Sequence, residues 1–195
     1  MKLKKSNIFI LFVIFLLIVI SFMTSKISLP DYPAEWPSRL TVKNDCQDFS
    51  GLYSNEARVL GYSGKRYLSW VFSVPPTDFF QQAKGSITSV RFQKSDQNKY
   101  RIRFYYSDKS EANNLSEIDT KGDYSYCDNG DLVIAYPPSV GTSHGAYGKW
   151  TEETRFSKTS DGSLVIKKSL TSLVALFYFI PTYTNQIVWE LYKPY

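Results

Sequence analysis

The residues able to carry chemistry are few and poorly spaced for it. The one histidine, His144, lies in the stretch 141–148 beside Ser139 and Ser143. A general base there would need an orienting acid, and no acid stands at a fixed spacing. One imidazole also excludes a multi-histidine metal site. Glu152 and Glu153 are neighbours, and adjacent residues of a strand point to opposite faces, so the pair cannot converge on one substrate atom. Asp128 and Asp131 flank Asn129 and Gly130. The motif lacks the later bidentate acid of a calcium loop and reads as turn chemistry. Phosphate-cradling glycine loops, a nucleophile elbow and a reactive-cysteine context are all missing. The sequence therefore predicts neither an enzyme nor a cofactor or metal centre.

Cys46 and Cys127 are the two cysteines. An isolated pair on the exported side of a membrane predicts a disulfide. Closing so long a loop stabilises by roughly 4 kcal/mol in the chain-entropy model.

The export signal is at the start. Lys2, Lys4 and Lys5 precede an apolar run at 8–23 that opens on Ile8, closes on Met23 and is interrupted only by Ser21. Cations before an uncharged segment orient it with the carboxyl side across the membrane. The segment suits either a signal-anchor helix or a cleaved leader. Phe22 or Met23 would occupy the −3 position of a cleavage site that wants a small residue, which favours retention. Residues 1–24 are thus read as a signal-anchor, with the partner membrane contacted through 8–23. The expected location is a bacterial inner membrane, single-pass, with the carboxyl-terminal domain outside the cytoplasm; the alternative is a periplasmic or secreted form after cleavage.

Location also explains the charge. The formal balance is +5, but Lys2, Lys4, Lys5 and Lys26 flank the apolar run, leaving 19 basic against 18 acidic residues elsewhere. The basic balance belongs to the membrane signal, and nucleic-acid binding loses its electrostatic support. Arg91, Lys99, Arg101 and Arg103 share a face with Tyr105 and offer, at most, a surface for anionic headgroups.

Residues 25–45, with Pro30, Pro33 and Pro37, read as an extended spacer in which Tyr32 and Trp36 pack on the domain edge. Residues 46–195 form the extracytoplasmic domain, and its signals have period two. Residues 48–54 give an opening strand. Residues 67–74 alternate, placing Leu68, Trp70, Phe72 and Val74 on one face. Pro75 and Pro76 end that strand, and 77–85 is a short helix with Thr77 as N-cap. Residues 87–94 and 99–106 make a hairpin in which an odd connection sets Phe92 opposite Ile102 and Val90 opposite Phe104, at the cost of placing Arg91 across from Arg103. Residues 108–120 are polar and carry no clear period. Asn129-Gly130 turns 124–127 into 132–136. A glycine-rich loop covers 137–149, and Asp161-Gly162 joins 150–160 to 163–170. The apolar run 173–180 suits a strand buried on both sides, and 186–192 is the last strand. The sum is a mainly β chain: an antiparallel meander of about ten strands, barrel or two-layer sandwich, with one short helix.

The string Cys46-Gln47-Asp48-Phe49-Ser50-Gly51-Leu52-Tyr53 and the ending Ile187-Val188-Trp189-Glu190-Leu191-Tyr192 resemble small uncharacterised envelope and lipoprotein-like β-domain proteins of proteobacteria. The lipobox cysteine of the lipoprotein members is missing here. The opening also resembles the Gly-x-Trp motif of lipocalins, with Tyr53 in the tryptophan position. Two functions follow as expectations. One is a non-enzymatic, anchored envelope protein, structural or bound to another envelope protein. The other is a lipocalin-like carrier or sensor of an apolar ligand. Leu68, Trp70, Phe72, Ile102 and Phe104 are the residues that would either fill the core or line a ligand cavity.

Overall fold

The computed structural model describes residues 31–42, 45–60, 63–75, 85–143, 146–176 and 180–195. The apolar run 8–23, most of the expected helix at 77–85, and His144 lie outside the described residues. The described residues hold eleven strands and one helical turn: β1 Gly51–Ser54, β2 Arg58–Leu60, α1 Leu68–Val71, β3 Ile87–Asp96, β4 Lys99–Tyr106, β5 Glu111–Asp119, β6 Ser125–Asp128, β7 Asp131–Ala135, β8 Ser139–Ser143, β9 Ala146–Lys158, β10 Leu164–Leu176 and β11 Ile180–Tyr192.

Every pairing is antiparallel, in two sheets. The smaller has the order β1-β3-β4-β5, the larger β2-β11-β10-β9-β7-β6 with β8 on β9. Neither closes into a barrel. One apolar cluster joins them, with Tyr53, Val90, Phe92, Ile102 and Phe104 from the small sheet and Leu132, Phe156, Leu164, Ile166 and Tyr192 from the large. Phe72 stacks on Phe156 and meets Phe92 and Phe104 edge-on or tilted, so aromatic rings fill the middle of the cluster.

The β3–β4 register is the expected one: Phe92 faces Ile102, Val90 faces Phe104, and Arg91 faces Arg103. The paired residues Asp96 and Lys99 leave only two between them, and a bulge between Lys94 and Asp96 supplies the odd offset. The Asn129-Gly130 turn is formed with both residues at positive φ, 53° and 91°, the backbone a two-residue hairpin needs. Asp161 caps the β9–β10 turn through its Oδ1, which accepts from Thr159 Oγ1 at 2.6 Å and from the Ser163 amide at 3.0 Å. The polar stretch 108–120 supplies a full strand, β5.

Three expectations are corrected. Residues 67–74 are not a strand; they contain α1. Asn55 takes the amides a ladder would use, its carbonyl accepting Leu68 N and its Oδ1 accepting Ser69 N, each at 2.8 Å. Helical spacing then buries Leu68, packs the half-buried Phe72 against the same cluster and turns Trp70 outward. The glycine-rich stretch 137–149 is largely ordered as β8 and the start of β9. Gly141 and Gly148 face each other across that pair, and a Cβ on Gly148 would sit 2.9 Å from Trp150 Cζ2. Glycine is what lets the indole lie there. Finally, 173–180 is not one doubly buried strand. It ends β10 and begins β11, and Leu173 is exposed.

The disulfide Cys46–Cys127 is formed, with Cα atoms 5.1 Å apart. Gln47 beside it donates from Nε2 to Leu40 O at 2.5 Å and accepts from Lys158 N at 2.9 Å. Residues 31–40, read as spacer, lie on the outer face of the large sheet. Trp36 is buried there with Val165, Trp189 and Leu191, and Arg39 bridges to Thr159. At the other end of the chain, Tyr53 pairs with Pro194 on the edge of β1, which ties the two sheets together a second time.

Candidate functional site

β9, β10 and β11 are each 13 residues long, and only their ends nearest the small sheet are covered. The inner face of the large sheet therefore runs out of the core into the open. Side chains alternate along these strands, so Phe156, Thr154 and Glu152 line up beside Ile166, Lys168 and Leu170, and these beside Glu190, Val188 and Gln186, with Tyr192 one step further in, opposite Leu164.

The boundary is a charged cluster. Glu190 has no exposed surface. Its Oε2 accepts from Tyr192 Oη at 2.7 Å. Lys168 Nζ stands 3.1 Å from its Oε1, and Arg66 Nε 3.9 Å. The lysine contact has ion-pair distance rather than hydrogen-bond geometry, so coulombic attraction holds it. Burial, and then the neighbouring carboxylate, push the Tyr192 phenol well above its ordinary value. A carboxylate sealed this way touches no solvent. Its chemistry is to hold two cations at the mouth of the core.

Beyond it lies an open cleft of about 350 Å³ lined by Trp70, Ile134, Tyr136, Glu152, Thr154 and Lys168. A second cleft, of about 440 Å³, shares Val71, Ser73, Ile134 and Tyr136 with it and continues along Glu117 to Ser125. One lysine, one glutamate and two aromatic rings can bind a polar or mixed ligand by ion pairing and ring contact.

The outer face carries a different set. Glu153 points here, bonded to Arg155 Nε at 2.6 Å, while Arg155 Nη1 reaches Asp128 at 2.7 Å. Glu152 and Glu153 thus lie on opposite faces, as strand geometry requires. Asp131 accepts from Ser157 Oγ at 2.6 Å, and Arg39 lies 3.5 Å away. Burial raises the Asp131 carboxyl, against the pull of that hydroxyl and of Arg39. Arg39 and Lys167 both sit over the Trp189 ring. The aspartates of the Asn129-Gly130 turn are therefore held in ion pairs and hydrogen bonds.

Of the five residues named as core or ligand lining, Leu68, Ile102 and Phe104 are fully buried in the shared cluster and Phe72 packs against it. Trp70 separates from them, 46% exposed and edge-on to Tyr67, on the rim of the open cleft. The basic face of the small sheet is matched by acids: Arg103 binds Glu111 at 2.9 Å, Arg101 lies 3.5 Å from Glu117, and Arg91 covers Tyr105. Sequence reasoning missed the Arg66–Lys168–Glu190–Tyr192 cluster. Its signal was present as a lone glutamate inside the apolar strand Ile187 to Tyr192, two residues from a tyrosine on the same face.

Compared with protein-family models, curated proteins and solved structures, the chain matches none.

Proposed function

We propose that the chain is a non-enzymatic, membrane-anchored extracytoplasmic domain that mediates an interaction in the cell envelope. The carrying observation is the filled interior: the side chains that a carrier would turn toward its ligand, Leu68, Ile102 and Phe104, are packed against the opposite sheet with no exposed surface. The disulfide supports an oxidising compartment. The cation-flanked apolar run 8–23 supports the anchor. Binding then belongs to surfaces, and the uncovered half of the large sheet is one of them.

The test joins topology with ligand content. Full-length protein made in a bacterial host should resist carbonate extraction from membranes, and protease added to spheroplasts should cut it. Mass spectrometry of the purified protein should find no stoichiometric lipid or other apolar molecule. Release by carbonate, or protection from protease, overturns the anchored topology; a stoichiometric apolar ligand turns the reading into the carrier.

A further inference from the structure

The exposed end of the large sheet is apolar on its outer face. Val140, Lys149, Leu173 and Tyr183 form one cross-strand row from β8 to β11, and Thr142, Tyr147 and Ala175 start the next. Val140 is 55% exposed, Tyr147 50%, Leu173 53% and Tyr183 59%. Four large apolar side chains on one flat face exceed the scatter of single surface hydrophobes. Lys149 is the one charged residue in these rows. The sequence from Ser169 to Trp189 holds no charge over 21 residues, Phe177, Tyr178 and Phe179 included.

The amino-terminal segment leads to this face. From the bridge at Arg39 the chain runs back over Trp36 to Asp31 and Tyr32, which share a groove with Ile187 and Trp189 on the outer side of β11. Tyr183 lies four residues further along that strand, about 14 Å. Seven residues, 24–30, separate Asp31 from the end of the apolar run and can span about 25 Å when extended. A bilayer holding 8–23 therefore lies within reach of the patch. The arginine-bearing face of the small sheet is turned the other way.

We infer that the Val140–Tyr147–Leu173–Tyr183 face rests on the surface of the bilayer that holds residues 8–23, its tyrosines at headgroup level and Lys149 toward anionic lipid. This rests on the anchored reading above. Tyrosine is a side chain of membrane interfaces, and the absence of acids in these rows suits an anionic surface. The interaction mediated by the domain is, on this face, with lipid.

The test uses the full chain with its disulfide intact, reconstituted into vesicles of phosphatidylethanolamine and phosphatidylglycerol. Leu173→Cys, Tyr183→Cys, Leu115→Cys and Tyr195→Cys are each labelled with an environment-sensitive fluorophore, and a headgroup-level nitroxide lipid serves as quencher; the last two lie on the small-sheet side, Tyr195 beside Arg91 and Tyr105. Quenching at 173 and 183 should exceed that at 115 and 195 by about twofold or more. Adding Lys149→Glu should reduce it on anionic vesicles and leave it unchanged on neutral ones. Equal quenching at all four sites in a chain that resists carbonate extraction overturns the docking alone. Release by carbonate overturns the anchored reading and this inference with it. Energy transfer between differently labelled copies at 173, without lipid quenching, gives the face to a second copy and overturns the lipid assignment.

Discussion

Lys168 Nζ and Glu190 Oε1 stand 3.1 Å apart where the shared core ends and the open face of the large sheet begins. The carboxylate is wholly buried, whereas the lysine keeps some contact with solvent. Removing the lysine therefore strands the acid rather than merely deleting a pair. Lys168→Met should destabilise by about 3 kcal/mol, toward the lower end for a broken buried pair because Arg66 remains nearby. Lys168→Met combined with Glu190→Leu should recover part of that loss. Urea titration of both variants checks it; a double variant worse than the single one means the cluster contributes through something other than compensated charge.

The disulfide ties the segment ahead of β1 to β6, across a separation of 81 residues. Reduction, or Cys46→Ser with Cys127→Ser, should lower stability by roughly 4 kcal/mol, less whatever Gln47 still supplies by binding Leu40 and Lys158. An unfolding midpoint indifferent to reductant would show that the hydrogen bonds around Gln47 already fix that junction.

Gly130 carries two demands at once. Its φ is +91°, and a Cβ there would meet the Val42 amide nitrogen at 2.9 Å and the Val42 carbonyl oxygen at 3.1 Å. Backbone cannot step aside as a side-chain tip can. Gly130→Ala should cost about 1–3 kcal/mol from the strained backbone and the displaced segment. Hydrogen exchange should quicken at Gln47, whose amide donates to Gly130 O. Protection unchanged at Gln47 would mean the turn absorbs the methyl without moving its neighbours.

Much of this was legible from residue types. The Phe92–Ile102 register follows from which residues are apolar, and the two glycine turns follow from the φ they require. What escaped was tertiary. The alternation at 67–74 fits a strand and a helix turn alike for Leu68 and Phe72, and only Asn55, reaching Ser69 from a distant loop, decides between them. Glycines at 141 and 148 read as loop signals until Trp150 is seen to need the space they leave. The apolar run at 173–180 reads as a buried strand because residue type alone does not tell a core position from an exposed apolar one such as Leu173. The buried Glu190 cluster draws its cations from positions 66 and 168, a spacing no local pattern announces.

Asp161 sets an acid limit on one hairpin. The Thr159 hydroxyl, and then the Ser163 amide, hold its carboxyl below the ordinary 3.8. A carboxyl lowered by folding contributes stability above its unfolded value and loses it as pH falls through the folded value. Asp161→Asn should therefore be less stable than the parent at pH 7, and the gap should shrink steadily once pH drops below about 4. The asparagine keeps a side-chain acceptor for the turn, so the pH-dependent part of the gap isolates the charge. Urea midpoints for parent and variant between neutral pH and pH 3 decide it. A gap that stays constant over the whole range would place the contribution in turn geometry and none of it in the ionised carboxyl.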